Sequence, residues 1–505
     1  MKSIITYTII LALFMVSCTK GFEELNTPPT TSSTIDPGAL LAKSLRDSKF
    51  TQGHEYQSLT CGAWIQWWVS SNNLPSSRYF FQRHRGENWD GLYSNIMNLA
   101  QIRHHLLKGQ EDSPEGRTRL AIARVAEVDL WQTITDLYGD IPYSESAQGE
   151  NNLITQPKYD TQEDIYKSLI STLDEAIGVL NASTATDKSY GKSDLYYGGD
   201  VSKWIKYANS VKLQLGMRMK YVAPGLAQTV VTQALSSPLI ASNNDNAKIE
   251  TSTQYNSSRH PILNLFRTGS PDNKYLGKAF IDYLVKTNDP RLRMIASPSL
   301  NSVNAGTPEY RGKLAAPTDE ELLGVVNNDY SLASDLTYFN DTYNSTNPIP
   351  CYIYTYSEIC FYKAEAALEG WGGLNVNQAE SFYQEGIRAA MALKPYNITE
   401  IPQDYIDAEF SLEGLTSEQK LEKIMNQKWI LMFGRSYDIY AEWRRTGYPA
   451  LKPGNNLGDT NGTIPRRRGY PQDEVDLNPD NHKAASSRMS NGDSYTSRVW
   501  WDAKK

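Results

Sequence analysis

Amphipathic helical periodicity is the feature that most restricts how this chain can fold. Apolar residues recur every three or four positions in several separate runs. These runs cover residues 92–107, 120–137, 162–180, 201–219, 356–368, 377–391 and 418–443. Because an apolar stripe on a helix must pack against another element, the pattern predicts a mostly α-helical protein.

The predicted helices come in pairs with short connections. In residues 358–368 and 379–387, alanines and aromatic residues recur where two antiparallel helices must approach closely. A tetratricopeptide-type helix hairpin requires this pattern, although no strict repeat period is visible. Long stretches rich in Asn, Asp, Gly, Pro and Tyr separate the pairs, at 236–271, 297–350 and 446–501. We therefore expect a tetratricopeptide-like helix-hairpin scaffold with long irregular loops that carry the function.

The N-terminal segment predicts export and a lipid anchor. An apolar run at 4–16 is shorter than the roughly 20 residues of a membrane-spanning helix, so we interpret residues 1–17 as a signal peptide. The segment ends in Met-Val-Ser-Cys18, which looks like a bacterial lipobox whose cysteine accepts acyl chains. Residues 18–36 are expected to be a lipid-anchored flexible tether. Residues 37–505 are expected to form a single domain.

The charge balance argues against a nucleic-acid partner. The formal net charge is -7 and the sequence pI is about 5.6, whereas phosphate binding needs clustered positive charge. The one dense basic run, Arg466–Arg468, lies between Pro465 and Gly469. We interpret it as a solvated or carboxylate-paired loop.

Patterns typical of metal or cofactor chemistry are missing from the sequence. The six histidines form no H-E-x-x-H pattern, so we expect no metal and no cofactor. With Cys18 lipidated, Cys61, Cys351 and Cys360 remain, and their odd number leaves at least one thiol free. A disulfide between Cys351 and Cys360 stays an open alternative.

Three tryptophans near residue 65 raise the question of a binding platform. Trp64, Trp67 and Trp68 have helical spacing and would share one face, where Trp64 is expected in the core. Trp68 precedes the polar segment 70–73, so we expect its ring to be half exposed beside amide groups. That combination suits a sugar, whose C–H face stacks on an aromatic ring and whose hydroxyls pair with amides.

The candidate ligand-binding residues lie in two segments. In the first segment, at residues 67–80, Phe80 extends the surface that the candidate residues would form. For the second segment, at residues 255–275, a solvated loop with one or two anchoring aromatic residues is an equal alternative to a ligand site. The candidates are Trp67, Trp68, Asn72, Asn73, Arg78 and Tyr79 in the first segment, and Tyr255, Arg259 and Tyr275 in the second.

Six blocks of sequence resemble the SusD/RagB family of surface lipoproteins, within its starch-binding, outer-membrane-associating branch. The likeness covers nearly the whole chain, and the blocks occur in the family's order. The blocks are the lipobox Cys18; Trp89–Ile96; Asp136–Tyr143; Asn288–Leu292; Tyr356–Ala367; and Asn426–Trp429 followed by Glu442–Pro449. They are characteristic of the fold and do not identify the ligand.

The resemblance implies a non-enzymatic lipoprotein exposed on the outer membrane. Such a protein binds nutrient oligosaccharides and delivers them, as a hinged lid, to a SusC-like TonB-dependent transporter. A RagB-like lid for oligopeptides is the first alternative. A helical-repeat scaffold protein and a surface hydrolase are further alternatives, and the 57 acidic residues offer too many carboxylates for the sequence to test the hydrolase.

Overall fold

Helices make up most of the described chain. A computed structural model describes residues 36–50, 60–69, 75–81, 87–110, 112–148, 154–183, 189–252, 259–261, 275–334 and 346–504. Its longer helices are α1 (Pro37–Phe50), α2 (Glu87–Gln101), α3 (Pro114–Tyr138), α4 (Gln162–Ala182), α5 (Val201–Arg218), α6 (Pro224–Leu235), α7 (Lys278–Lys286), α8 (Tyr356–Glu369), α9 (Ala379–Met391), α10 (Ser417–Leu431), α11 (Ser436–Thr446) and α12 (Pro479–Ser487). The predicted mostly α-helical fold is confirmed.

Consecutive helices pack as hairpins, in keeping with the tetratricopeptide-like prediction. The pairs α3 with α4, α5 with α6, and α8 with α9 are in extensive contact. Glycines allow the closest approaches: a Cβ on Gly216 would lie 2.8 Å from Val231, and one on Gly386 would lie 2.7 Å from Phe361. Because no side chain fits at those points, two of the hairpins depend on these glycines.

Side-chain caps explain where several helices begin. The Ser113 hydroxyl accepts a hydrogen bond from the Gly116 amide at 2.9 Å and caps α3. At the start of α8, Thr355 and Glu358 form a reciprocal capping box. Such caps satisfy amides that have no partner inside the helix.

The prediction of one long helix over 418–443 is wrong. The chain forms α10 and α11 instead, and Gly434 between them has φ +93°. The first helix ends at Leu431 with Met432 as its C-cap, and the left-handed conformation of Gly434, which favours glycine, lies in the connection to α11. The predicted loop at 446–501 is also partly helical, because it contains Gln472–Leu477 and α12.

Short strands join distant parts of the chain in three antiparallel pairs. The strands are β1 (Trp68–Val69), β2 (Ile141–Pro142), β3 (Tyr159–Asp160), β4 (Ala247–Ile249), β5 (Tyr275–Leu276) and β6 (Cys351–Tyr354). They pair as β1 with β5, β2 with β3, and β4 with β6. The first pair joins the two segments that hold the predicted ligand residues.

A buried ion network joins the helices at the centre of the fold. The Glu442 carboxylate contacts Arg445 at 2.7 Å and both Arg218 and Lys428 at 2.9 Å. Arg445 also forms a bidentate pair with Glu365, at 2.6 and 2.7 Å. All five side chains are buried. Removing one member would leave charges without partners, which makes the network costly to break.

The network sets the protonation of its carboxylates. Burial alone would raise the pKa of Glu365, but Arg445 and Lys220 lower it to about 2. For the same reason, Arg445, Lys428 and Arg218 hold the pKa of Glu442 well below its ordinary value. Both groups are therefore carboxylates at neutral pH.

The family blocks noted in the sequence supply most of these buried charges. Glu365, Lys428, Glu442 and Arg445 all belong to them. Another block contributes Arg291, whose guanidinium pairs with Asp289 at 2.6 Å in a fully buried site. The blocks therefore specify helix packing. This agrees with the interpretation that they are characteristic of the fold.

Two further sequence predictions can be compared with the structure. Arg466 contacts Asp502, and Arg467 contacts Asp493 at 2.5 Å, so these two arginines of the basic run are carboxylate-paired. Cys61, Cys351 and Cys360 are buried and form no disulfide in the part of the chain that the structure describes, which excludes the Cys351–Cys360 bridge in this structure. No helix within the described ranges is long and apolar enough to cross a membrane.

Candidate functional site

The tryptophan segment is not the single helix that its spacing predicts. Helix ends after residue 64, a turn follows in which Gln66 has φ +61°, and Trp68 begins β1. The Trp67 carbonyl accepts a hydrogen bond from the Gly277 amide at 2.9 Å. Pairing with β5 thus replaces helical hydrogen bonding. The expectation that the three indoles share one helical face is wrong.

All three indoles lie in the core. Trp64, Trp67 and Trp68 are 0%, 0% and 2% exposed, so the core prediction for Trp64 is confirmed and the half-exposed ring expected at Trp68 is wrong. The Trp68 ring lies 4.6 Å from the ring of Phe433, and Trp67 lies 5.6 Å from the same phenylalanine. Neither indole is available to stack on a sugar in this structure.

The structure does bring the two predicted segments together. Val69 of β1 pairs with Tyr275 of β5. Tyr275 is buried, and its ring lies 4.8 Å from the Lys313 ammonium. The phenol therefore packs inside the protein and does not form an open platform.

The remaining candidates divide between buried side chains and undescribed positions. Arg78, Tyr79 and Arg259 are buried. Arg78 donates to the Pro317 carbonyl at 2.9 Å and to Asp319 at 2.6 Å, so internal partners occupy its guanidinium. Asn72, Asn73, Tyr255 and the lipidation candidate Cys18 lie outside the described residues.

Phe80 is the exception among the aromatic residues. Phe80 is 42% exposed, whereas the other aromatic side chains that the structure describes are buried or half-buried. The preceding Tyr79 is 1% exposed and has φ +67°. A bulky residue pays a conformational cost in this left-handed region. The turn that exposes Phe80 to solvent therefore contains a strained backbone conformation at Tyr79.

A loop from the C-terminal part of the chain holds Tyr79 in place. The Gly454 amide donates to the Tyr79 phenol oxygen at 3.4 Å. The Asp459 amide donates to the Tyr79 carbonyl at 2.8 Å. A Cβ on Gly458 would lie 2.5 Å from that carbonyl oxygen, so only glycine fits there. Burial raises the pKa of Tyr79 to about 12, so its phenol is neutral at physiological pH.

The next residue, Phe81, fixes the other side of the turn. Its ring stacks on Tyr495, with centroids 3.6 Å apart and planes 11° apart. Its amide donates to the Asp459 carboxylate at 2.7 Å. Phe80 is therefore presented between two anchored aromatic neighbours. We call Arg78–Phe81 the Phe80 tip.

Polar groups surround the Phe80 tip. The Arg78 guanidinium lies 5.9 Å from the centroid of the Phe80 ring, and its partner Asp319 is largely exposed. Asn455 and Asp459, on the loop that contacts Tyr79, are exposed as well. Asp319 accepts from Arg78, Asp459 accepts from the Phe81 amide, and Asn455 donates to Glu321. Their remaining polar atoms can hydrogen-bond to hydroxyls.

Two cavities lie away from the Phe80 tip. One of about 60 Å³ is lined by residues that include Thr133, Tyr352 and Arg435. The other, of about 210 Å³, lies beside Tyr221 and Trp371. Both are smaller than the roughly 300 Å³ at which small-molecule sites begin. The exposed tip is therefore the stronger candidate for holding a large ligand.

One histidine has both a carboxylate and a hydroxyl nearby. His482 Nε2 lies 3.1 Å from Asp493 Oδ2 and 3.4 Å from Ser486 Oγ. A nucleophilic relay needs the carboxylate and the hydroxyl on opposite ring nitrogens. Because both contacts use the same nitrogen, this group lacks that geometry.

The same architecture occurs in solved SusD homologues. The chain is similar to a chitin-binding protein with 29% identity and a TM-score of 0.78, covering 93% of this chain and 100% of that one. It is similar to a chitin-binding SusD homologue from Flavobacterium johnsoniae with 24% identity and a TM-score of 0.75, covering 93% and 99%. A SusD-like protein from Bacteroides thetaiotaomicron gives the same four values. At 24% identity, the similarities to the last two proteins show a shared fold alone.

The sequence places the chain in a family. It belongs to the SusD-like family described as "Starch-binding associating with outer membrane", whose sequence model matches residues 29–471. A comparison with curated proteins finds no match. The family membership confirms the resemblance seen in the sequence blocks.

Proposed function

We propose that this protein binds a glycan on the outer membrane and that the Phe80 ring is the stacking platform. The observation that carries this proposal is the exposure of Phe80 beside a buried, conformationally strained Tyr79. Strain at a position held by surrounding structure is typical of functional sites.

The chemistry of the tip suits a neutral sugar. A pyranose ring can stack its C–H face on Phe80, with a contribution of about 1 kcal/mol beyond the buried area. Asp319, Asn455 and Asp459 can pair with sugar hydroxyls, each pair adding about 1 kcal/mol. The sum is a modest affinity, and a polymer that contacts several molecules gains from multivalency.

The relatives favour a polysaccharide ligand. The family description names starch, and the structural relative at 29% identity is named as a chitin-binding protein. We infer that the ligand of this chain is a polysaccharide of this neutral type. The inference that the ligand is a glycan comes from the family, and the choice of Phe80 as the contact residue comes from the geometry of the Phe80 tip.

The proposed protein is anchored to the membrane by a lipid and delivers its glycan to a transporter. Cys18 would carry the lipid anchor, residues 18–36 would be the tether, and residues 37–505 would form the ligand-binding domain. As a hinged lid, this domain would pass the glycan to a SusC-like TonB-dependent transporter. Tethering beside the transporter raises the effective concentration of captured ligand. In this role the protein breaks no bond and is not an enzyme.

Native affinity electrophoresis tests the proposed binding. Wild type and Phe80→Ala would be run in gels that contain soluble starch, glycol chitin or no polysaccharide. We expect at least one polysaccharide to retard the wild type and the variant to migrate as in the blank gel. Val285→Ala is the matched control, because Val285 is an apolar side chain on α7 that is also 42% exposed. Equal retardation of Phe80→Ala and wild type would reject Phe80 as the platform.

A further inference from the structure

One loop beside the Phe80 tip exposes an aliphatic side chain between two polar ones. In residues 454–459, the side chains of Asn455, Leu457 and Asp459 are exposed, whereas Asn456 is buried. Leu457 is 62% exposed. A single exposed leucine is ordinary on a protein surface. The position of this one matters, because the same loop holds the Phe80 tip in place.

The buried side chain of Asn456 fixes the loop on the body of the protein. Its amide group donates to the Pro317 carbonyl at 3.2 Å, and its side-chain oxygen accepts from the Gly458 amide at 3.0 Å. The Pro317 carbonyl also accepts from Arg78 of the tip, at 2.9 Å. The loop and the tip therefore share an anchor, and Leu457 is held in solvent at a fixed place.

Asp459 brackets the backbone of Phe80. Its amide donates to the Tyr79 carbonyl at 2.8 Å, and its carboxylate Oδ2 accepts from the Phe81 amide at 2.7 Å. Tyr79 and Phe81 are the two chain neighbours of Phe80. Since consecutive Cα atoms are about 3.8 Å apart, the Cα of Leu457 lies within about 7.6 Å of the Cα of Asp459. Leu457 is therefore close to the backbone that carries the Phe80 ring.

The three exposed side chains of the loop differ in chemistry. Asp459 keeps Oδ1 as an acceptor, because Oδ2 binds the Phe81 amide. Asn455 donates one amide hydrogen to Glu321, and its second amide hydrogen can serve another acceptor. Leu457 offers an apolar surface alone. The loop thus presents an acceptor, a donor and an aliphatic group together.

An acetamido group on a sugar has the three complementary parts. Its N–H is a donor, its carbonyl oxygen is an acceptor and its methyl group is apolar. A sugar that carries only hydroxyls can bond to Asn455 and Asp459 but leaves Leu457 in water. Burying one methyl group is expected to raise affinity about fourfold. Leu457 can therefore distinguish an acetamido sugar from a hydroxyl sugar.

We propose that Leu457 is a specificity-determining residue of the Phe80 tip and selects a polymer of N-acetylhexosamine. This assignment rests on the proposed function, because the sugar ring must stack on Phe80. The acetamido methyl group packs on Leu457, the N–H donates to Asp459, and the carbonyl oxygen accepts from Asn455. A glucan has a hydroxyl at the same carbon and lacks the methyl contact.

Calorimetric titration with two matched trisaccharides tests the proposal. Tri-N-acetylchitotriose and cellotriose have the same linkage and differ at C2, which carries an acetamido group in the first and a hydroxyl in the second. We expect the wild type to bind the acetylated trisaccharide about fourfold more tightly, and Leu457→Ala to reduce this preference to within about twofold. Leu477→Ala is the matched control, because Leu477 is 67% exposed and lies outside the loop. It should keep the wild-type preference.

Saturation-transfer NMR gives a second measurement on the same variants. In the wild type, the acetamido methyl protons should receive more saturation from the protein than the ring protons of the sugar do. Leu457→Ala should remove this difference, whereas Leu477→Ala should retain it. Equal saturation of methyl and ring protons in the wild type would contradict a methyl contact with Leu457.

Phe80→Ala distinguishes the two proposals. It should abolish binding of both trisaccharides. Loss of binding in Phe80→Ala together with an unchanged preference in Leu457→Ala would overturn the role of Leu457 and leave the stacking platform in place. Undiminished binding in Phe80→Ala would overturn both. Wild-type affinity for cellotriose or maltotriose that equals or exceeds that for tri-N-acetylchitotriose would also overturn the assignment of an N-acetylhexosamine polymer.

Discussion

The Phe81 ring lies flat on Tyr495, with 3.6 Å between centroids and 11° between planes. The two residues are far apart in sequence, so this stack ties the Phe80 tip to the C-terminal part of the chain. Asp459 adds a second tie through the Phe81 amide. The tip is therefore held in place before any ligand arrives, which reduces the ordering cost of binding.

Replacing Tyr495 tests this positioning role. Tyr495→Leu removes the stacked ring, and we expect glycan binding to weaken roughly threefold to tenfold because an aromatic pair contributes about 0.5–1.5 kcal/mol. Tyr495→Phe keeps the ring and should retain wild-type affinity. Calorimetric titration with an oligosaccharide of the retained polysaccharide measures both. Equal affinities for the two variants would contradict a positioning role for the ring.

Trp68 should matter for stability more than for ligand contact. Trp68→Ala removes a core indole packed on Phe433, and we expect a loss of about 3–5 kcal/mol in the free energy of unfolding. Phe80→Ala should change that free energy by less than about 1 kcal/mol. Urea unfolding followed by circular dichroism compares them. A stable Trp68→Ala protein that has lost glycan binding would instead support a ligand platform at Trp68.

Glu442 should be among the costliest polar residues to replace. Glu442→Gln leaves Arg218, Lys428 and Arg445 without their shared carboxylate, so we expect about 3–5 kcal/mol of destabilisation. Glu418→Gln is the matched control, because it removes the same charge from a pair whose carboxylate side chain is 55% exposed. Its effect on the midpoint of urea unfolding should be small. Similar midpoints for the two variants would argue that the buried network contributes little.

Acid should weaken the fold through Glu365. Its pKa is 4.5 unperturbed and about 2 in the folded protein, so the unfolded chain binds the proton more tightly. The stabilisation, on the order of 3 kcal/mol, is fully present above pH 4.5 and is lost as pH falls towards 2. Glu365→Gln should flatten the decline of unfolding free energy between pH 4.5 and 2. An unchanged slope would show that other carboxyl groups cause the acid sensitivity.

The sequence predicted helices well where their packing is local. Hairpins such as α8 with α9 have their apolar stripes and small residues close together in the chain, so periodicity identified them. The break at Gly434 was missed because the apolar pattern continues across it on both sides. The Trp68 segment was misread because its strand partner, Leu276, lies far away in sequence.

The candidate site was predicted only in outline. Val69 pairs with Tyr275, so the two predicted segments meet, and ligand binding by these segments stays a prediction. Which ring is exposed depends on tertiary packing, and the pattern Arg-Tyr-Phe-Phe at 78–81 gives no sign that Tyr79 is buried and Phe80 open. The left-handed backbone of Tyr79 is likewise invisible in a sequence that has no glycine there.

Affinity measured across ring-retaining and ring-deleting variants of Phe80 tests the central claim most directly. The association constant for an oligosaccharide of the retained polysaccharide would be compared by calorimetry for wild type, Phe80→Tyr and Phe80→Leu. Stacking on Phe80 predicts that tyrosine keeps the constant within about twofold and that leucine lowers it about fivefold or more, near 1 kcal/mol. Wild-type affinity in Phe80→Leu would contradict the claim.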